Sequence, residues 1–274
     1  MLLLPKKGPK TDFHLIAVYR EGYGWVFLHS GYHSLIAQKL IESRFLPEFR
    51  DAVAYGKEFK IDNHRIDFVI SYHTGDVLME VKGCTFFKDR LALFPDAPTK
   101  RGAGHVKILS EYGDSILLFL SMNDNVDYFA PNADTDKIFH KAVLEALAKG
   151  VHVIPATFSF DGSTLRHVDR IPFVSDPYDD ELFSLANIAS EAAEEYTERF
   201  GPEANAVLAG VSRIGGVPYI HVVFYGVFCQ SCGLYDYFDD YGLVLGDYGV
   251  PSGPEDVKQF GNTYVVRFKV KEVQ

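Results

Sequence analysis

The run Ser115-Ile-Leu-Leu-Phe-Leu-Ser121 limits what this chain can fold into more than any other stretch. Five consecutive apolar residues leave neither strand face suited to water, so the segment reads as a central strand covered on both sides. The segments beside it have a different period. Ala103–Glu111 looks helical, and Asp136–Lys149 has helical periodicity closed by Gly150. Val151–Phe160 then reads as another strand. Strands alternating with helices in this order describe an α/β core.

The earlier segments extend this pattern. Phe13–Tyr19 and Trp25–His29 flank Glu21-Gly-Tyr-Gly24, a hairpin signal. Leu35, Ile36, Leu40 and Ile41 recur at helical spacing, which predicts an amphipathic helix over about 34–44. Ile66–Ser71 and Val77–Lys82 read as strands joined by Tyr72-His-Thr-Gly-Asp76.

The final hundred residues differ in character. Residues 1–173 carry 21 Lys+Arg and 21 Asp+Glu, whereas residues 174–274 carry 6 and 16, so the whole net charge of -10 lies there. The change falls at Ile171-Pro-Phe-Val-Ser-Asp-Pro177, which predicts a domain 1–173 followed by a domain 174–274. The second part opens with an acidic helix, about Asp179–Phe200, closed by Gly201-Pro202. Strands are predicted at 206–214, 217–228, 241–247 and 263–273, with Gly215-Gly216 as a hairpin turn, making this part α+β. Tyr219, Phe224, Tyr235, Tyr237, Phe238 and Tyr241 alternate there with Asp236, Asp239 and Asp240. They read as a small β-rich core with an acidic exterior or as an interaction surface. A homodimer paired through these aromatic strands is expected, and screening of a binding face by the acidic helix is the competing role. Cys229-Gln-Ser-Cys232 reads as a hairpin turn with two small buried side chains. His29 and His33 read as a structural pair.

Composition removes several classes. With 47% hydrophobic residues the chain is not disordered. No window approaches the ~18 apolar residues of a membrane span. Met1-Leu-Leu-Leu-Pro5 is too short for a signal-peptide core, and three cysteines do not make a fully paired secreted framework, so a cytoplasmic protein is expected. The acidic balance opposes coating nucleic acid by bulk charge, while leaving room for a local basic patch.

The chemistry-bearing constellation is Asp67 with Glu80-Val81-Lys82. Side chains alternate along a strand, so Glu80 and Lys82 share a face, and a hairpin brings Asp67 beside Glu80. Two adjacent carboxylates repel, and a hard divalent cation such as Mg²⁺ or Mn²⁺ relieves that repulsion with oxygen ligands. Lys82 would then orient or deprotonate the attacking water, or stabilise a phosphoryl transition state. This is the D-x(n)-(D/E)-x-K arrangement of metal-dependent nucleases.

The following segment sharpens the reading. Arg65-Ile-Asp67-Phe68, Met79-Glu80-Val81-Lys82, and Phe94-Pro-Asp-Ala-Pro-Thr-Lys-Arg-Gly102 with His105 stand in order, followed by Phe129-Ala-Pro131 and Gly150-Val-His-Val153. Over about residues 27–160 the sequence resembles the sugar fermentation stimulation protein A (SfsA) family. The resemblance implies a PD-(D/E)xK, restriction-endonuclease-like core, a mixed sheet flanked by helices, that binds DNA. It implies Asp67 and Glu80 as metal ligands and Lys82 as the catalytic lysine. Lys100, Arg101 and His105 would contact or position DNA phosphates at a helix start. Asp96 would be a third ligand, a cap at the helix entry, or a turn residue. Two departures stand out. About 26 residues precede this core, too few for the barrel the family usually carries, and Lys39 stands where its first helix usually has a glutamate, with Glu42 one turn on. The expected function is a metal-dependent DNA-binding nuclease; the alternative is a non-catalytic DNA-binding or regulatory protein with a nuclease-like pocket.

Overall fold

A computed structural model describes residues 1–6, 11–61, 64–227 and 233–271. The chain begins with strands β1 (Leu2–Pro5), β2 (Phe13–Arg20) and β3 (Gly24–Phe27), which form a three-stranded antiparallel sheet. Helix α1 (His33–Ser43) follows, then a single 3₁₀ turn, Pro47–Phe49. Three antiparallel strands come next: β4 (Ala54–Ile61), β5 (His64–Tyr72) and β6 (Gly75–Cys84). A short hairpin, β7 (Phe86–Lys88) and β8 (Leu91–Phe94), leads to helix α2 (Lys100–Tyr112) and strand β9 (Ser115–Ser121). Strand β10 (Tyr128–Pro131) and helix α3 (Lys137–Ala148) lead to β11 (His152–Phe160) and β12 (Leu165–Arg170).

The six-stranded sheet has the order β12-β11-β9-β6-β5-β4. Its centre is parallel: β6 pairs with β9, and β9 with β11. Parallel neighbours need a crossover, and α2 and α3 supply the two crossovers. All seven residues of β9 are buried, as its apolar run requires. Asp136 caps α3 by accepting hydrogen bonds from the Ile138 and Phe139 amides at 3.0 Å.

Strand β13 (Phe173–Val174) carries the chain into helix α4 (Asp180–Phe200), strands β14 (Asn205–Ile214) and β15 (Val217–Tyr225), helix α5 (Leu234–Asp247), and strands β16 (Ser252–Phe260) and β17 (Thr263–Val270). An eight-stranded sheet runs β16-β17-β15-β14-β13-β10-β8-β7, so it draws strands from both sides of the composition break. The apolar cores change over at that break. Phe173 belongs to a core made mostly of the first part, and Val174 to one made only of later residues. Gly210 lets β14 pass β13 closely, since a Cβ there would lie 2.4 Å from the Phe173 carbonyl oxygen and ring. Helix α4 buries Leu182, Leu185, Ala186, Ala189, Ala193 and Tyr196 at helical spacing and leaves Glu191, Glu194 and Glu198 in water. No described helix is long and apolar enough to cross a membrane.

One expectation is corrected, and further strands appear. Residues 241–247, predicted as a strand, form the second half of α5. Phe238, Tyr241, Val244 and Leu245 recur every three or four residues and face the core. Tyr235, Tyr237, Phe238 and Tyr241 therefore lie on a helix, while Tyr219 and Phe224 lie on the inner strand β15. Among the strands not anticipated are β4 and β16. Both are edge strands, where charged residues, Pro254 and irregular register belong, so their polar sequences imitate loops. The predicted turn at Cys229–Cys232 lies outside the described residues.

One turn bolts the two parts together. Glu48, fully buried, accepts hydrogen bonds at Oε1 from His152 (2.7 Å) and Arg170 (2.8 Å), while its carbonyl accepts from the Tyr72 hydroxyl (2.8 Å). Next to it, the Thr263 hydroxyl donates to the Pro47 carbonyl at 2.8 Å, and Arg50 lies 4.6 Å over the Tyr225 ring. Strands β5, β11, β12, β15 and β17 thus meet at Pro47–Arg50. Burial alone would push the Glu48 carboxyl up, but the Arg170 charge and the His152 hydrogen bond bring it down to about 2. A carboxyl held below its unfolded value stabilises the fold above that value and ceases to do so as pH falls through the window from 4.5 to about 2. Glu48→Gln should cost about 3–5 kcal/mol at neutral pH, because Arg170 is left buried and unpaired, and should flatten the acid loss of stability across that window. Urea unfolding at a series of pH values checks both; wild-type stability in the variant would contradict the assignment.

Candidate functional site

The site grows out of the place where β5 and β6 part. Their pairing runs from Tyr72–Gly75 to Phe68–Met79, and one further step sets Asp67 opposite Glu80. There Asp67 Oδ2 accepts the Val81 amide at 2.9 Å, taking the place of a strand carbonyl. Strand alternation sends Glu80 and Lys82 to one face, and Lys82 Nζ donates to Glu80 Oε1. Glu80 is only 2% exposed, while the Lys82 side chain keeps 14%.

Helix α2 closes the site from above. Its cap is Thr99, whose hydroxyl accepts the Gly102 amide at 3.0 Å and whose own amide donates to Asp136 at 2.7 Å. The entry-cap role considered for Asp96 therefore belongs to Thr99, and Asp96 is exposed in the loop ahead of it. Lys100 and Arg101 occupy the exposed first turn. One turn later His105 is buried, with Nδ1 bonded to Glu80 Oε1. Arg101 Nε lies 3.4 Å from His105 Nε2. A guanidinium can only donate, so Nε2 accepts and the ring proton sits on Nδ1, donated to Glu80. His64, not singled out in the sequence, sets its ring edge-on to His105 at 6.1 Å.

The electrostatics show a shortage of positive partners. Burial pushes the Asp67 carboxyl up, and the Glu80 charge adds to the rise against the Val81 hydrogen bond. Burial would also push Glu80 up, but the His105 hydrogen bond and Lys82 hold it below its ordinary value. All of that support reaches Oε1; Oε2 is buried without a hydrogen-bond partner among the described residues. Two apposed carboxylates with a free buried oxygen fit a hard divalent cation, which binds through one or two carboxylates and completes its shell with water and phosphate. Among the described residues no three His, Cys, Asp or Glu side chains gather to hold a metal ion, so the expected set of three with Asp96 is not assembled.

Helix α1 contributes an unexpected residue. Glu42, weighed as a replacement for the missing glutamate, accepts from Lys39 at 2.8 Å and from Gln38 and Tyr55 at 2.7 Å. The helix instead presses His33 onto β6: a Cβ added to Gly83 would stand 2.0 Å from the His33 ring. Burial, helped by the His29 and Lys82 charges, lowers His33 to about 4. The sequence offered His33 only as half of a His-x-x-x-His spacing, with nothing to link it to a strand fifty residues away.

Comparison with known proteins gives the family. The family model described as "Sugar fermentation stimulation protein RE domain" matches residues 31–164. A sugar fermentation stimulation protein homolog of Methanosphaera stadtmanae is 37% identical over 172 residues, covering 60% of this chain and 71% of that one. The chain belongs to the SfsA family. Another SfsA homolog, from Methanothermobacter thermautotrophicus, is 42% identical over 156 residues, which are 56% of this chain and 65% of that protein. The chain thus spans about two thirds of the length of these SfsA relatives. The solved structure titled "The structure of Pyrococcus Furiosus SfsA in complex with Ca2+" shares the fold, with a TM-score of 0.57 at 23% identity, over 62% of this chain and 76% of that one.

The contact between His33 and Gly83 is open to direct test. Gly83→Ala should cost roughly 1–3 kcal/mol through overpacking, and His33→Ala in the same chain should restore most of the loss. A double-mutant cycle by denaturant unfolding measures the coupling; additive effects would show that the ring does not meet Gly83.

Proposed function

We propose that this SfsA-family chain is a divalent-cation-dependent nuclease acting on DNA phosphodiesters, built on a restriction-endonuclease-like core. The observation that carries the reading is Asp67 facing Glu80 across paired strands, with Lys82 bonded to Glu80 and Glu80 Oε2 left unpartnered. The core supports it: three antiparallel strands are followed by a crossover helix and a parallel strand, and the carboxylates stand where the first pair diverges.

Asp67 and Glu80 would hold Mg²⁺ or Mn²⁺, and the solved SfsA of Pyrococcus furiosus is in complex with Ca²⁺, another oxygen-seeking cation. Such a cation supplies Lewis acidity toward a phosphoryl oxygen and offsets the charge that builds during displacement. The protein's own groups do the rest. Glu80 fixes Lys82 Nζ, whose remaining N–H groups would donate to the attacking water or a phosphoryl oxygen. His105, held by Arg101, keeps Glu80 in place and is a positioning residue. Lys100 and Arg101 stand on the first turn of α2, where unpaired backbone amides already favour an anion, and they receive the DNA phosphates.

Labelled DNA incubated with Mg²⁺ or Mn²⁺ should be cut by the wild type, and Lys82→Ala should lower the rate by about 10²-fold or more. Glu80→Gln should abolish both cutting and calorimetric Mn²⁺ binding while circular dichroism is unchanged. Arg101→Ala should weaken DNA binding by roughly 1–3 kcal/mol and reduce the salt slope by about one phosphate. Cutting that needs no metal, or that survives Lys82→Ala, would overturn the proposal. Metal-independent binding without cutting would assign the non-catalytic alternative.

A further inference from the structure

We infer that the polar pocket where the end of α1, the β5–β6 turn and the β16–β17 turn meet binds a phosphate group, free or carried on a small polar molecule. The pocket stands at the far end of the β5–β6 hairpin from Asp67 and Glu80 and does not rest on the function proposed above. Its volume is about 420 Å³, within the range of small-molecule sites. Arg44 and Arg50 come from the segment that follows α1, His73 and Thr74 from the β5–β6 turn, and Asn262 from the β16–β17 turn. Each of these side chains has a hydrogen-bond donor to offer.

The two guanidinium groups are held but not neutralised. Arg50 lies 4.6 Å over the Tyr225 ring, a contact that keeps the guanidinium in place and leaves it without a counter-charge. Arg44 donates to the Ala52 carbonyl at 3.4 Å. Among the described residues these are the partners of the two groups, and neither is a carboxylate. The one carboxylate in the lining, Asp51, is committed to the β16–β17 turn. Its Oδ2 accepts the Asn262 amide at 2.9 Å, and a Cβ added to Gly261 would stand 2.4 Å from the Asp51 Cβ. Two cations against one committed anion leave a positive excess in a concave place, and guanidinium forks match the oxygens of a phosphate. The backbone adds a separate argument. Arg44 ends α1 in the left-handed region, at φ 53°, a conformation that glycine adopts freely and other residues adopt at a cost. A long cationic side chain stands where the helix end would be better served by glycine, and a binding role for the guanidinium accounts for it.

Calorimetry on the full chain with inorganic phosphate and with ribose 5-phosphate tests this. Each should bind saturably, one per chain. Arg50→Gln should weaken binding by about tenfold or more. Arg44→Gly should weaken it as much while the melting temperature stays close to the wild-type value or rises, since glycine relieves the left-handed residue. Tighter binding of ribose 5-phosphate than of phosphate would show that the polar side chains also hold the carrier; equal affinities would assign the free ion. Binding that is absent, non-saturable or unchanged in both variants would overturn the site. Binding lost in Arg101→Ala instead would place the phosphate on α2 and overturn it too. DNA affinity lost in Arg50→Gln, without any phosphate binding, would give this surface to nucleic acid and overturn the small-molecule pocket.

Discussion

A carboxylate with almost no access to water organises this protein's chemistry. Burying Glu80 carries a desolvation cost of several kcal/mol that only close, hydrogen-bonded partners offset. Two such partners converge on one oxygen, Lys82 from the same strand and His105 from α2. Each constrains more than the charge. Lys82 is drawn from solvent to a fixed place one pleat away, and α2 is docked with its first turn beside the parting strands. Asp67 completes the arrangement by taking the Val81 amide where the backbone ladder ends. The second oxygen of Glu80 is left over, which turns a structural ion pair into a candidate ligand.

A second buried carboxylate does mechanical rather than chemical duty. Glu48 gathers Arg170 and His152 from the far side of the six-stranded sheet, and its neighbours reach Tyr225 and Thr263 of the acidic C-terminal part. Arg267 on β17 extends the same tie, donating at 3.0 Å to the Leu147 and Ala148 carbonyls at the end of α3. The acidic part is therefore joined to the core by buried polar contacts and by a shared sheet, although its surface charge is so different.

What could be read from the sequence followed from local physics. Five consecutive apolar residues made β9 legible, helical spacing made α2 and α3 legible, and strand alternation put Glu80 and Lys82 on one face with Asp67 within reach. Elements whose signal was diluted were missed. Helix α5 carries Gly242 and Gly246 and a dense apolar run, Leu243–Leu245, so its three-and-four spacing was hidden behind a strand-like composition. Edge strands β4 and β16 are polar because solvent lies beside them. Long-range contacts were the least legible. Neither the His105–Glu80 bond across 25 residues nor the His33–Gly83 contact leaves any periodic trace, and Asp96, attractive in its motif, is exposed beyond the cap that Thr99 provides.

The account depends on Asp67 and Glu80 together attracting one cation. Anomalous diffraction from crystals of the full chain soaked in Mn²⁺ tests this most directly. The prediction is a single strong peak between the two carboxylates, within coordination distance of an oxygen from each, with Lys82 and His105 still flanking Glu80. A soaked crystal with no peak there, or with Mn²⁺ held by Asp96 or the acidic face of α4 instead, would contradict it.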